Sequence, residues 1–589
     1  MLIHLWIDIN ECGKPFGCIN GGLYIGKIKH LCSPDIAMFW PVWRIHLEQS
    51  IKSHCCLDDV GSDDELSILT AVFRAVSELW GMLCPVLPHR IDLLSEKIMN
   101  QSSDKLIPRP TRIHKNLDDR FYRAVSAASF PAHKLRYRND AAAKSIGLNH
   151  LDEAEWVSHF GRFVPFACSF ETPLALCYHG HQFGHYNPDL GDGRGFLFAQ
   201  FYDHAGRLMD LGTKGSGTTP FSRSGDGRLT LKGAVREILA TEMLEALGVQ
   251  TSKTFSVIET GEPLHRRDEP SPARSAVLVR LSHSHIRIGS FQRFFYHDDV
   301  DGIDMLARHV ARYYYADATG GAVVNADAET SDLMVDLLQA IAGRIATTAG
   351  NWMAAGFVHG VLNTDNFNVT GESFDYGPWR FLPKFDPGLT AAYFDQTGRY
   401  AYGRQPDAAM WAVCRLADCF VKLVPKSKLE DHLHGFYDTL ESALANAVQR
   451  RLGIAFDTAD NERDAMLARQ FFTAAKSADH GFDQIFHDLY GGTPRCAGYD
   501  DDVWTPLLDI LSGARLVRPN ALEHPHFKRT LAVSLTIDEV EALWAPIAAA
   551  DDWQPLAEKI TAIRTMRAAL DGAPITAIPR IYGGALSAD

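Results

Sequence analysis

His359-Gly360-Val361-Leu362-Asn363-Thr364-Asp365-Asn366, followed nine residues later by Asp375-Tyr376-Gly377, constrains this chain more than any other stretch. Residues 331 to 355 carry a helical pattern that runs directly into His359. Beyond the loop, Phe367-Asn368-Val369, the turn Thr370-Gly371-Glu372 and the residues before Asp375 read as a hairpin presenting Asn366 and Asp375 on the same side. A fold containing this stretch must feed a helix into a polar loop and return the chain beside it.

Protein-kinase catalytic loops run H-R-D-x-x-x-x-N and are followed by D-F-G; the first Asp takes the hydroxyl proton, while the Asn and the second Asp hold Mg²⁺. Here Val361 stands where that first Asp would be, five residues before Asn366. A valine accepts no proton. Asn366 and Asp375 keep the metal-holding pattern, so nucleotide and metal binding are expected while ordinary γ-phosphoryl transfer is in doubt. Asp365 offers a displaced proton acceptor; a turn-forming Asp is the other reading.

Upstream, Phe196 to Phe201 and Leu208 to Lys214 read as strands joined by Asp203-His204-Ala205-Gly206. Residues 233 to 247 read as an amphipathic helix ended by Gly248, and Ala276 to Arg280 as a further strand. Lys214 at a strand end and Glu237 on the next helix repeat the kinase arrangement of a strand Lys and helix Glu. Gly191-Asp192-Gly193-Arg194-Gly195, Lys214-Gly215-Ser216-Gly217 and Ser224-Gly225-Asp226-Gly227-Arg228 combine glycines with basic residues, a composition that lets backbone approach phosphates. Arg280 and Arg287 are either a pair of guanidinium groups aimed at a polyphosphate or ordinary surface ion-pairing residues. His179, His181 and His185 read as hydrogen-bonding histidines rather than a zinc site, since no matching acid or Cys ligand stands nearby.

A net charge of -14 and a pI near 6.0 exclude long nucleic acid as the main partner. No apolar run approaches the about 18 residues of a membrane span. Six of the eleven cysteines (Cys12, Cys18, Cys32, Cys55, Cys56, Cys84) precede residue 100 with neither zinc nor disulfide-framework spacing, so a reduced, cytoplasmic compartment is expected. The opening MLIHLWIDINECGK lacks signal-peptide features. Residues 1–115 read as an extension, disordered or added by a misplaced start, with Met99 one internal start and a single helix-like stretch around Glu65 to Leu83. Residues 116–300 read as mixed α/β, 301–450 as mainly helical, and 451–589 as helical with segments at 461 to 480 and 537 to 570 and a loose tail from Gly572.

Six motifs, in order, give the chain a resemblance: YHGHQFGHYNPDLGDGRG (178–195), LGTKGSGTTPFSRSGDGR (211–228), VREILATEMLEALGVQTSKT (235–254), RLSHSHIRIGSF (280–291), GFVHGVLNTDNFNVTGESFDYGPW (356–379) and GRYAYGRQP (398–406). Together they resemble the selenoprotein O family, also called YdiU, a kinase-like group that transfers AMP from ATP to protein hydroxyls. The resemblance implies an α+β, protein-kinase-like two-lobed fold, with the N-lobe in 116–300, the C-lobe in 301–450 and additional C-terminal helices. It implies ATP bound in a flipped orientation by Gly191, Gly193, Arg194, Lys214, Asp226, Gly227, Arg280, Arg287 and Asp375, with Glu237 pairing Lys214. Mg²⁺ or Mn²⁺ falls to Asn366 and Asp375, and proton acceptance to Asp365. The partners implied are proteins bearing Ser, Thr or Tyr hydroxyls, with no membrane and a monomeric chain. A γ-phosphotransferase, a uridylyltransferase using UTP with Mn²⁺ and an inert nucleotide-binding scaffold are the alternatives. Many members carry a selenocysteine or cysteine near the C-terminus, whereas this chain ends GGALSAD with Cys496 its last cysteine.

Overall fold

The computed structural model describes residues 107–267, 269–316 and 322–583. The helix-like stretch around Glu65 to Leu83, with most of the 1–115 extension, lies outside the described residues. Along the chain come β1 (Arg109–Thr111), β2 (Tyr122–Ala124), β3 (Lys134–Arg138), β4 (Leu174–Leu176), β5 (Gly180–Gln182), β6 (His185–Asn187), β7 (Leu197–Tyr202), β8 (Leu208–Lys214), β9 (Leu229–Thr230), β10 (Lys253–Leu264) and β11 (Ala273–Ser282). They are followed by β12 (Phe357–Val358), β13 (Arg380–Phe381), β14 (Ile454–Ala455), β15 (Arg515–Leu516) and β16 (Arg580–Ile581). Ten of these make one antiparallel sheet in the order β16-β3-β10-β11-β8-β7-β4-β2, with β1 also on β7 and β9 on β11. The strand at Arg109–Thr111 shows that the sheet begins ahead of residue 116, where the sequence patterning starts.

Alternation along β11 sends its apolar residues into two different cores. Ala276 and Leu278 enter the core formed with the helix Leu231–Ala246, while Val277, Val279 and Leu281 enter a second core of Trp156, Phe160, Phe198 and Phe255. Both faces of the sheet are covered, so Ala276 to Val279 are apolar in succession, while the buried Arg280 is accommodated by its bonds to His285 and Asp375. The helix itself starts on Thr230, whose hydroxyl accepts from Gly233 N–H at 3.1 Å. The helices Val300–Tyr314 and Thr330–Ala355 follow, the latter stopped by Gly356 in the left-handed conformation.

Residues 367–375 do not form the expected hairpin. Asn368 instead bridges Arg287, and Ser373 bridges Thr251, so the backbone groups that a hairpin would pair internally are taken by residues from the sheet side. The two-stranded ribbon β12–β13 closes the base of this stretch, so that residues 359 to 379, Asn366 and Asp375 among them, form a single excursion from it. Two expectations for the C-terminal part also change. Asp551, at φ 53°, splits residues 537 to 570 into the helices Ile537–Ala550 and Gln554–Asp571, and its carboxylate meets Lys134, Arg136 and Arg274. The tail is not loose throughout: Arg580 and Ile581 pair with Arg138 and Tyr137 as the edge strand of the large sheet. From the last helix Arg564 forks onto Glu242 at 2.7 and 2.8 Å, tying the C-terminal helix to the Leu231–Ala246 helix.

Candidate active site

β8 ends at Lys214, and the neighbouring strand β11 carries Arg280 opposite Gly212. Lys214 Nζ bonds the Glu237 carboxylate, both side chains being buried. Arg280 Nη1 lies 2.7 Å from Asp375 Oδ1, Arg287 Nη1 2.5 Å from Asp375 Oδ2, and Lys214 Nζ 3.8 Å from Oδ1. Three cations therefore converge on one carboxylate held at φ 63°, an unusual backbone conformation for a non-glycine residue. Burial opposes the charge on Asp375, but Arg280, Arg287 and Lys214 outweigh it and hold the carboxyl well below the usual range. Burial lowers the Lys214 pKa, with Arg194 and Arg280 adding to the effect while Glu237 and Asp375 oppose it.

Asp365 sits in the short turn Thr364–Asn366 under different conditions. Its backbone carbonyl accepts from Arg287 Nη1 at 2.7 Å, yet its side-chain Oδ1 is buried without a hydrogen-bond partner. Burial pushes the carboxyl up to about 6, against the opposing pull of Arg287 and Arg223. Asn366 donates its Nδ2 to the Val361 carbonyl at 2.9 Å. Val361 thus takes part through its backbone carbonyl.

The loop is seated by the β5–β6 hairpin. Asn363 Oδ1 accepts from Phe183 N–H at 3.0 Å and Tyr400 OH at 2.9 Å, and Thr364 Oγ1 accepts from His181 N–H at 2.7 Å. His181 Nδ1 pairs with Gln292 at 2.8 Å, while His179 joins Tyr186 and Arg293. These two histidines are positioning groups, in line with the hydrogen-bonding reading.

The glycine-rich turns pack on one another. Ser222 Oγ donates to the Gly193 carbonyl, Thr219 Oγ1 to the Asp192 carbonyl, and Gly215 N–H to the Arg194 carbonyl. A Cβ at Gly191 would lie 2.3 Å from the Phe221 ring, and one at Gly227, at φ 68°, 2.3 Å from the Gly217 backbone. The structure thus gathers Lys214, Glu237, Arg280, Arg287, Asp365 and Asp375, with Arg194 close enough to bias Lys214. It does not bring the Asp226 carboxylate to them: Arg266 holds it at 2.8 Å. Sequence reasoning missed Asp192, which accepts from Leu176 N–H at 3.0 Å and faces Arg287 Nη2 at 3.5 Å. It also missed the support behind Arg280. Arg280 Nε donates to His285 Nε2 at 3.0 Å, His285 Nδ1 faces Asp210 at 3.3 Å, and Gln200 Nε2 donates to Asp210 at 2.7 Å. The -S-H-S-H- run around His285 was the available signal.

With the geometry in place, comparison with known proteins is decisive. Residues 110–501 match the family described as Protein adenylyltransferase SelO. The chain belongs to that family. Its similar relatives include Protein nucleotidyltransferase YdiU of Synechocystis sp., 39% identical over an alignment of 474 residues, covering 77% of this chain and 97% of the relative. The protein of the same description from Gloeobacter violaceus is 42% identical over 476 residues, covering 76% and 93%. As a SelO family member the chain is a protein nucleotidyltransferase, and among the described residues no helix is long and apolar enough to cross a membrane.

Proposed function

We propose that this chain transfers AMP from ATP to Ser, Thr or Tyr hydroxyls of proteins and releases pyrophosphate, using a two-lobed, kinase-like arrangement of sheet and helices. The observation that carries the reading is the pairing of opposites around one loop. Three cations and an ionised Asp375 stand on one side, and a buried Asp365 with a free oxygen on the other, where Val361 leaves the usual base position empty.

Entering phosphates compete with Asp375 for Arg280 and Arg287, as anions of higher charge with matching fork geometry. The Asp375 oxygens so released and the Asn366 amide oxygen are hard donors. Together with phosphate oxygens they suit Mg²⁺ or Mn²⁺, which rarely take a full protein cage. Such an ion supplies Lewis-acid polarisation of the phosphate oxygens. Lys214, kept in place by Glu237, offsets charge building on the phosphates. The Asp365 carboxylate accepts the proton of the acceptor hydroxyl, whose oxygen bonds to the α-phosphorus as the α–β bridging P–O bond breaks and pyrophosphate departs.

Intact-mass analysis after incubation of the full chain with a protein acceptor, ATP and Mg²⁺ or Mn²⁺ tests this. Label from α-labelled ATP and an added AMP mass are expected. Transfer of γ-label with an added phosphate would establish phosphotransfer instead, and a parallel UTP reaction reads the nucleotide choice.

A further inference from the structure

A cleft of about 670 Å³ opens beside the catalytic loop, lined by Phe183, Phe394, Arg399, Arg404 and Trp411 among others. Its aromatic wall continues into open surface, with Phe394 47% and Tyr393 84% exposed. Aromatic and arginine side chains on one concave wall are the composition of protein-docking hot spots. The charges decide what fits. Of the cleft's two carboxylates, Asp395 is buried and accepts the N–H groups of Arg399 and Tyr400 at 2.9 and 2.8 Å, while Asp407 accepts the Tyr437 hydroxyl at 3.0 Å. Neither arginine enters an ion pair among the described residues. Arg399 lies over the Trp411 ring at 4.8 Å, and Arg404 donates only to the carbonyls of Thr397 and Gly398 at 3.3 and 3.4 Å.

The cleft is joined to the reacting centre by the β5–β6 hairpin. Gly180 abuts Asp365, where a Cβ would stand 2.9 Å from Oδ1. Phe183, three residues on, lines the cleft and is fixed to Asn363 at 3.0 Å.

We infer that this cleft is the docking site for the protein acceptor and selects an acidic side chain close in sequence to the hydroxyl to be modified, received by Arg399 and Arg404. The inference rests on the adenylyl-transfer reading, whose acceptor it specifies. Arg404 is an exposed residue at the start of the helix Gln405–Asp418, where a carboxylate is also favoured by the helix dipole, so Arg404→Glu is a folded charge reversal.

The test uses the full chain and fluorescent peptides with one Tyr and, three residues to either side, Glu, Gln or Lys. Binding is read by anisotropy and transfer by α-labelled ATP. Wild type is expected to bind and label a Glu peptide about tenfold better than its Lys counterpart, and Arg404→Glu to reverse that ratio. Equal use of Glu and Lys peptides, or a Glu preference that survives Arg404→Glu, would overturn the inference. So would a dimer dispersed by Arg404→Glu in a chain indifferent to the peptides, which would give the cleft to a second copy. Glu-selective binding reversed by Arg404→Glu, without α-label on any peptide, would support the cleft and sink adenylyl transfer. Label without selectivity would do the opposite.

Discussion

Asp375 and Asp365 are the same residue type ten positions apart, and the protein treats them in opposite ways. Asp375 is surrounded by Arg280, Arg287 and Lys214 and keeps its charge despite burial. Asp365 is more deeply withdrawn from water than the partly buried Asp375 but receives Arg287 only at its backbone carbonyl, so its carboxyl rises to about 6 and one oxygen stays free. Environments that push two acids apart assign their roles: one remains an ionised anchor, the other a base poised near neutrality.

Asp375→Ala breaks this contrast most severely. Three buried cations lose their counter-charge, and transfer should fall below detection. Removing one partner of such a buried group costs about 3–5 kcal/mol, readable as a lower denaturation midpoint. A variant with wild-type stability would mean that the cations do not depend on Asp375.

Asp365→Asn should separate chemistry from folding. The loss of a general base lowers kcat by about 10²–10⁴-fold, while ATP binding stays close to wild type. Stability should rise above pH 6, because an acid whose folded pKa is raised from 3.8 to about 6 costs about 3 kcal/mol once both states are ionised. The sign is opposite for the two acids. The folded state binds the extra proton at Asp365 between about pH 4 and 6, so that contribution falls as pH rises through the window. Asp375 is held below its unfolded value, so its contribution is present above about pH 4 and lost as pH falls further. Urea titrations of Asp365→Asn against wild type from pH 4 to 8 should show the two curves diverging as pH rises. Parallel curves would remove the burial argument for Asp365.

What could be read from sequence divides along the same line. β8, β11, the Leu231–Ala246 helix and the Lys214–Glu237 pair were legible because strand alternation, helical spacing and local order carry them. The 367–375 segment was not. Its pairing partners, Arg287 and Thr251, lie far back in the chain, so a local pattern suggested a hairpin that long-range bridges replace. The edge strand at Arg580–Ile581 was missed for the same reason, being only two residues long and defined by its contact with β3. Asp365 was visible as a candidate, but its isolation from hydrogen-bond donors is a property of the packed loop.

A smaller effect sharpens the base assignment. With the Asp365 carboxyl at about 6, kcat/KM should fall about tenfold from pH 7 to pH 5 along a single acid limb. A limb centred near pH 4 would point to a base in ordinary solvent.

The weakest expected effect concerns how Arg280 is kept available. His285 accepts from Arg280 Nε, so its Nδ1–H is directed at Asp210, and this tautomer aims the guanidinium at Asp375 from behind. The imidazole crosses β8 only because Gly212 has no side chain; a Cβ there would lie 2.2 Å from His285 Nε2. Since His285 meets the arginine and not Asp365, His285→Asn should raise the KM for ATP by roughly three- to tenfold and leave kcat and its pH limb in place. Gly212→Ala should reproduce that shift by displacing the same ring. A fall in kcat with unchanged KM would instead connect this buried chain to the proton transfer at Asp365, and the separation between the two carboxylates would no longer hold.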